Sequence, residues 1–230
     1  LAMGPGAYTT WQAARQRWQR SEDARTRVDR ARELLARGDA EGALREADLA
    51  QVLSMASPDE ALPQAEAELL RGLALARKGT TGRAEVAWAS AYRIGAVSLR
   101  APEREAAARA LLELARSLQA RGDLDHARGA FRALLGRFPS SPLASEARFG
   151  LACAEEGTGR LDAALSHFES VSIDDALSPA DRARTRESIS VLRSLLPMND
   201  QPLPEGETAT GDVDGDGRSD LVMNEASGRV

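Results

Sequence analysis

Shifting the chain against itself by 37 residues lays Leu114, Ala115, Gly122, Leu124, Ala127 and Phe131 on Leu151, Ala152, Gly159, Leu161, Ala164 and Phe168. Six identities at one offset define a repeated unit. A unit of this size is a helix, a turn and a second helix, which cannot bury its own apolar face. The chain must therefore stack such units, each supplying the surface that the next one needs.

Inside the unit at 108–141, Leu111, Leu114, Ala115 and Leu118 recur at helical spacing. Gly122 and Asp123 break that helix, since glycine tolerates the left-handed turn and Asp can cap the second helix. Leu124, Ala127, Phe131 and Leu134 form a second stripe, and Pro139 ends it. This pattern resembles the tetratricopeptide repeat (TPR) family. The small Ala115 and Ala127 stand where that family packs its two helices closely, and Gly122, Phe131 and Pro139 match as well. The family period is about 34, which assigns the surplus residues to Pro142-Leu143-Ala144. The resemblance implies an all-α fold, a TPR-like right-handed solenoid of helical hairpins.

Earlier units are more degenerate. Residues 25–58 read as a first pair, with Ala31, Leu34 and Leu35 before Gly38-Asp39 and Ala43, Leu44, Ala47 and Ala50 after it. Residues 63–95 read as a second pair. Leu69, Leu70, Leu73 and Leu75 lead to Lys78-Gly79, Thr80-Thr81-Gly82 forms an enlarged turn, and Val86, Ala87, Ala91 and Ile94 make the stripe. Before these pairs, residues 1–10 are predicted to be a frayed tail, and Thr9 or Thr10 to cap a helix running toward Arg37. Trp11 and Trp18, seven apart, are expected to anchor its polar first half by packing. After the fourth pair, Ser178-Pro179 opens a last helix with Ile189, Leu192, Leu195 and Leu196 on its apolar face, suited to capping the stack. The helical domain is thus predicted over 11–197.

Composition bounds the rest. Hydrophobic residues make up 43% of the chain but aromatics only 4%, so Ala and Leu must build the core. A net charge of −5 argues against nonspecific nucleic-acid binding. No apolar run approaches the roughly 20 residues of a membrane span. The single cysteine, Cys153, excludes an intrachain disulfide framework. His126 and His167 lack ligand-spaced neighbours and read as solvent-facing. No nucleophile–base arrangement is visible, so the chain is expected not to be an enzyme.

Residues 198–211 are rich in proline and read as a linker. Beyond it stands D-V-D-G-D-G-R-S-D-L-V. Asp212, Asp214 and Asp216 place carboxylates on alternate residues, Gly217 permits a sharp turn, Arg218 offers a backbone carbonyl and Asp220 closes the ring, which is chemistry suited to calcium. An EF-hand loop wants Glu where Met223 stands. The loop is more similar to the calcium loops of FG-GAP/VCBS repeats, which implies that 212–230 is the start of one calcium-binding β repeat, with 220–223 as a strand.

The TPR resemblance also implies a concave surface lined by the first helix of each pair, which binds a peptide or helix. Its groove positions carry over to Arg25, Arg32, Arg77, Arg109, Arg116 and Gln119, giving an expected basic face and an acidic protein or peptide partner. The segment R-F-P-S-S-P-L-A-S-E-A at Arg137 resembles that of TPR proteins of the Gram-negative envelope, implying an extracytoplasmic location. The expected function is a non-enzymatic protein-interaction scaffold. The alternative is a helical spacer in a calcium-dependent adhesion, carbohydrate-associated or secreted-enzyme propeller protein.

Overall fold

The computed structural model describes residues 5–55, 63–172, 176–196, 208–211 and 220–223. Eight of its helices form four hairpins: α1 (Pro5–Ala36) with α2 (Ala40–Met55), α3 (Gln64–Arg77) with α4 (Thr81–Gly95), α5 (Ala101–Ala120) with α6 (Leu124–Arg137), and α7 (Ala144–Gly157) with α8 (Leu161–Val171). A ninth, α9 (Pro179–Leu195), packs on α8. Strands β1 (Thr208–Gly211) and β2 (Asp220–Met223) pair antiparallel, with Gly211 opposite Asp220.

Each hairpin turns on a glycine with positive φ: Gly38 (84°), Gly79 (75°), Gly122 (82°) and Gly159 (78°). The residue after each glycine donates its N–H back to Leu34, Leu75, Leu118 or Glu155, while the glycine N–H reaches the next carbonyl along. This pair of bonds is the Schellman motif, which satisfies carbonyls that a helix end leaves orphaned. Four identical turns give a structural register. Five residues after each glycine stands a fully buried alanine, namely Ala43, Ala84, Ala127 and Ala164; nine after stand Ala47, Trp88, Phe131 and Phe168, also buried. The alanines let the two helices of a hairpin approach closely, and the larger side chains fill the space beyond them.

This register corrects three readings. Gly82 is helical, and the turn before α4 is the same as the others rather than enlarged. The buried face of α4 is Ala84, Ala87, Trp88, Ala91 and Gly95, while Val86 is 70% exposed. Trp88 was the missed anchor; it lies against α3 where Gly72 has no side chain, and a Cβ there would stand 2.4 Å from the indole. Helix α1 also begins earlier than expected, with Pro5 in its first turn, where the missing N–H costs nothing. The side chains of Trp11 and Trp18 lie outside those described.

Odd and even helices form two layers. Helix α3 touches both α1 and α5, and α5 also touches α7. The hairpins therefore converge on their odd helices, which line the inner face of the stack. At the far end Ser178 caps α9, its Oγ accepting from the Asp181 N–H at 3.1 Å. Leu192 is buried against Phe168 and Ala164, but Leu195, expected on the same face, is 60% exposed.

Candidate binding groove

The inner layer bears two cavities in line. The first, about 400 Å³, runs from Arg32 of α1 across Glu66, Leu69 and Leu70 of α3 to Pro102, Glu105, Ala106 and Arg109 of α5, with Pro142 and Leu143 at its end. The second, about 340 Å³, lies between α5, α7 and α9, with Arg116, Gln119, Glu146, Phe149, Asp181 and Arg184 around it. Its floor includes the edge of Phe131, seated where Gly150 of the next hairpin has no side chain.

Of the six expected groove residues, four line these cavities and two do not. Arg32 and Arg109 share the first, and Arg116 and Gln119 the second. Arg77 instead donates to the Leu35 carbonyl, tying the end of α3 to the end of α1. Arg25 is exposed on α1 outside both cavities.

The face is not uniformly basic, because three of the arginines bring carboxylates with them. Arg32 pairs with Asp29 at 2.6 Å and with Glu66 at 3.1 Å. Arg109 pairs with Glu113 at 2.8 Å, and Arg116 with Glu146 and, at 3.9 Å, with Glu113. Glu113 was legible from sequence as the fourth residue after Arg109. Glu66 and Glu146 come from neighbouring hairpins and have no such signal. Glu66 and Glu113 are more shielded than their arginines, whereas Glu146 is nearly as exposed as Arg116 (34% against 42%) and Asp29 is more exposed than Arg32. Side chains are 56% exposed for Arg32 against 18% for Glu66, and 48% for Arg109 against 17% for Glu113. At the first cavity an entering molecule meets the guanidinium groups of Arg32 and Arg109, with Glu66 and Glu113 tucked behind.

Other candidate groups do structural work. Cys153 is buried at the edge of the second cavity, and burial pushes its thiol up to about 11, so it stays protonated and unreactive near neutrality. His126 is exposed and bonded to Asp123 at 2.7 Å, an interaction that holds the Asp123 carboxyl below its usual range. His167 is not simply solvent-facing; its Nε2 lies 3.4 Å from Glu155, which is fully buried. Among the described residues, no three of His, Cys, Asp and Glu stand where they could hold a metal ion. Asp212, Asp214, Asp216 and Arg218 lie outside the described residues, and of Asp220 only its strand position is described. No helix of the described residues is long and apolar enough to cross a membrane.

Stacked helical hairpins with a glycine turn, a small-residue contact and a lined inner face define a TPR-like helical solenoid. Residues 112–181 match the family model for a tetratricopeptide repeat. Among solved structures, the chain is similar to the nearly identical TPR-like repeats of a Podosopora anserina protein assigned as a kinesin light chain. That likeness has a TM-score of 0.55 at 18% identity and covers 74% of this chain and 85% of that one. A single-substitution form of the same repeats gives 0.56 at 17% identity, covering 74% and 84%. No curated protein matches the chain.

Proposed function

We propose that the chain is a non-enzymatic protein-interaction scaffold that holds a peptide or helix in the inner groove. TPR-type repeats generally mediate protein–protein interaction. The observation that carries the reading is at the first cavity: an apolar floor of Leu69, Leu70, Pro102 and Leu143 lies beside Arg32 and Arg109, whose guanidinium groups are more exposed than Glu66 and Glu113 behind them. A guanidinium has five N–H donors in a fork, so an acidic ligand can bond those facing solvent while Glu66 and Glu113 keep theirs. The partner is accordingly a segment with apolar anchors and acidic side chains. A pull-down with the full chain tests this. The captured partner should be lost when Arg109 and Arg116 are both changed to Glu, and retained when Arg45 on α2 is changed. Retention through both changes, with affinity indifferent to salt, would reject the groove.

The Asp212, Asp214, Asp216, Arg218 and Asp220 set is proposed to bind calcium; the support is the carboxylate spacing in a segment bracketed by β1 and β2. Calorimetry should show calcium uptake that Asp214→Ala with Asp216→Ala removes. An extracytoplasmic location, supported by the resemblance at Arg137, is proposed with it, and fractionation of the host cell decides that point.

A further inference from the structure

The connectors between hairpins, residues 96–100 and 138–143, flank the first half of α5 and enclose a third cavity there. It measures about 490 Å³ and is lined chiefly by Leu99, Ala101, Arg104, Ala108, Phe138 and Pro139. Glu105 and Pro142 border both this cavity and the groove. Arg104 and Ala108 face this one, whereas Ala106 and Arg109 face the groove. The two sites therefore open on different flanks of α5.

Three features set this cavity apart. Its walls are the most apolar of the three: Leu99 stands 99% exposed at the rim, while Phe138 is 5% exposed and forms the floor. Leaving a leucine in water at the mouth of an apolar hollow forgoes the burial that a ligand would supply. Arg104 is the second feature. Its guanidinium carbon lies 5.4 Å from the centre of the Phe138 ring, within the range of a cation–π contact. It makes no ion pair among the described residues, in contrast to Arg32, Arg109 and Arg116 in the groove. A cation held over a ring by its face keeps its N–H donors for a carboxylate. The third feature is the pairing itself: a guanidinium without an acid stands directly beside apolar surface without a cover.

We propose that this edge pocket is a second protein-binding site. It takes an extended segment in which a carboxylate adjoins a large apolar side chain. The carboxylate sits on Arg104, and the apolar group lies between Leu99, Phe138 and Pro139. The site does not depend on the groove being occupied. Glu105 at its border disfavours a second acidic residue on that side, which limits the ligand to one carboxylate near the anchor.

The test is nuclear magnetic resonance on the ¹⁵N-labelled full chain, titrated with a blocked hexapeptide, Gly-Ser-Asp-Phe-Ser-Gly. Forms with Asn for Asp, and with Ala for Phe, serve as controls. Amide signals of residues 99–101, 103–108, 138, 140 and 141 should move. Losing a hydrogen bond to a charged group should weaken binding about 10-fold or more for the Asn form, and losing the anchor should do the same for the Ala form. Arg104→Glu should abolish the shifts, and Glu105→Gln should leave them or tighten binding. If Arg104→Glu fails to fold, judged by circular dichroism, the three peptides on the unaltered chain still decide the matter. Equal binding of all three, shifts confined to groove residues such as Leu69 and Arg109, or no shifts up to the peptide's solubility limit would each overturn the proposal.

Discussion

Two buried residues carry opposite lessons about what a side chain does in a repeat. Phe131 fills the same place as Phe168, Trp88 and Ala47, and its ring rests on Gly150 of the following hairpin. Truncating it removes apolar contact across a hairpin boundary and leaves a cavity. Phe131→Ala should lose roughly 3–5 kcal/mol, read by denaturant titration. A loss below about 1 kcal/mol would show that the stack closes over the gap. Glu155 is the other case. It occupies the turn position that holds Leu34, Leu75 and Leu118 in the other hairpins, yet it is fully buried, with Arg132 at 2.8 Å and His167 at 3.4 Å. Arg132 is half exposed, so Glu155→Leu leaves its cation in water while sparing the cost of burying a carboxylate. Glu155→Leu should therefore keep or raise the melting temperature, whereas Arg132→Ala should lower it by leaving the carboxylate without its cation. A fall with Glu155→Leu would mean that the fourth hairpin has repacked around the charge. The phenylalanines were legible in the sequence because they repeat at one offset. Trp88 and Glu155 were not, since each departs from the residue type that its equivalents would suggest.

At the scale of the element, the turns decide how much can be read in advance. Gly159 follows Gly122 by 37 residues, but Gly122 follows Gly79 by 43 and Gly79 follows Gly38 by 41. One shift superimposes only the last two hairpins, so in α4 the spacing finds the buried Ala87 and Ala91 but places the exposed Val86 with them and misses Trp88. The groove suffered likewise: Arg109 and Glu113 share a helix and a spacing, while the partners Glu66 and Glu146 belong to neighbouring hairpins that only stacking brings near. Junctions between elements are also where glycine is indispensable. Gly95, at the end of α4, lies so close to α5 that a Cβ would stand 2.2 Å from the Glu103 carbonyl oxygen and 2.8 Å from Ala107. Both neighbours belong to a packed helix and cannot rotate aside, so Gly95→Ala must move α4 off α5. Gly82 is also helical, but a Cβ there meets nothing within 4 Å. Gly82→Ala should stabilise by about 0.4–1 kcal/mol through the lower entropy of the unfolded chain, while Gly95→Ala should destabilise well beyond that. Similar effects at the two sites, measured by thermal unfolding, would contradict the close approach of α4 and α5.

Across the whole molecule, the joints between hairpins are partly held by buried carboxylates, and this makes the stack sensitive to pH. Glu103 of α5 reaches over to the start of α3, where its Oε2 accepts from the Ala65 N–H at 2.8 Å. The residue at that N-cap is Pro63, which has no side-chain acceptor, so the cap comes from the next hairpin instead. Glu68 of α3 lies at the joint with α2, bonded to Gln51 and 3.5 Å from Arg71, which in turn holds Asp48 at 2.9 Å. Burial raises both carboxyls above their ordinary value, against the opposing pull of the Ala65 N–H on Glu103 and of Arg71 on Glu68. A carboxyl whose folded pKa is raised holds its proton more tightly when folded. Between the unfolded value near 4.5 and the raised folded value, the native chain binds more protons than the unfolded one. Stability from these groups is therefore greatest at the acid end of that window and falls as pH rises through it. Glutamine keeps an acceptor for the Ala65 N–H without ionising. The double variant Glu68→Gln, Glu103→Gln should gain on the unaltered chain as pH rises from 4.5 through the raised folded values, and hold that gain above them. Because the surface carboxylates are common to both proteins, their titration cancels in the difference. A difference in melting temperature that stays constant from pH 4.5 to 7, or that shrinks, would show that these joints do not carry the buried charge.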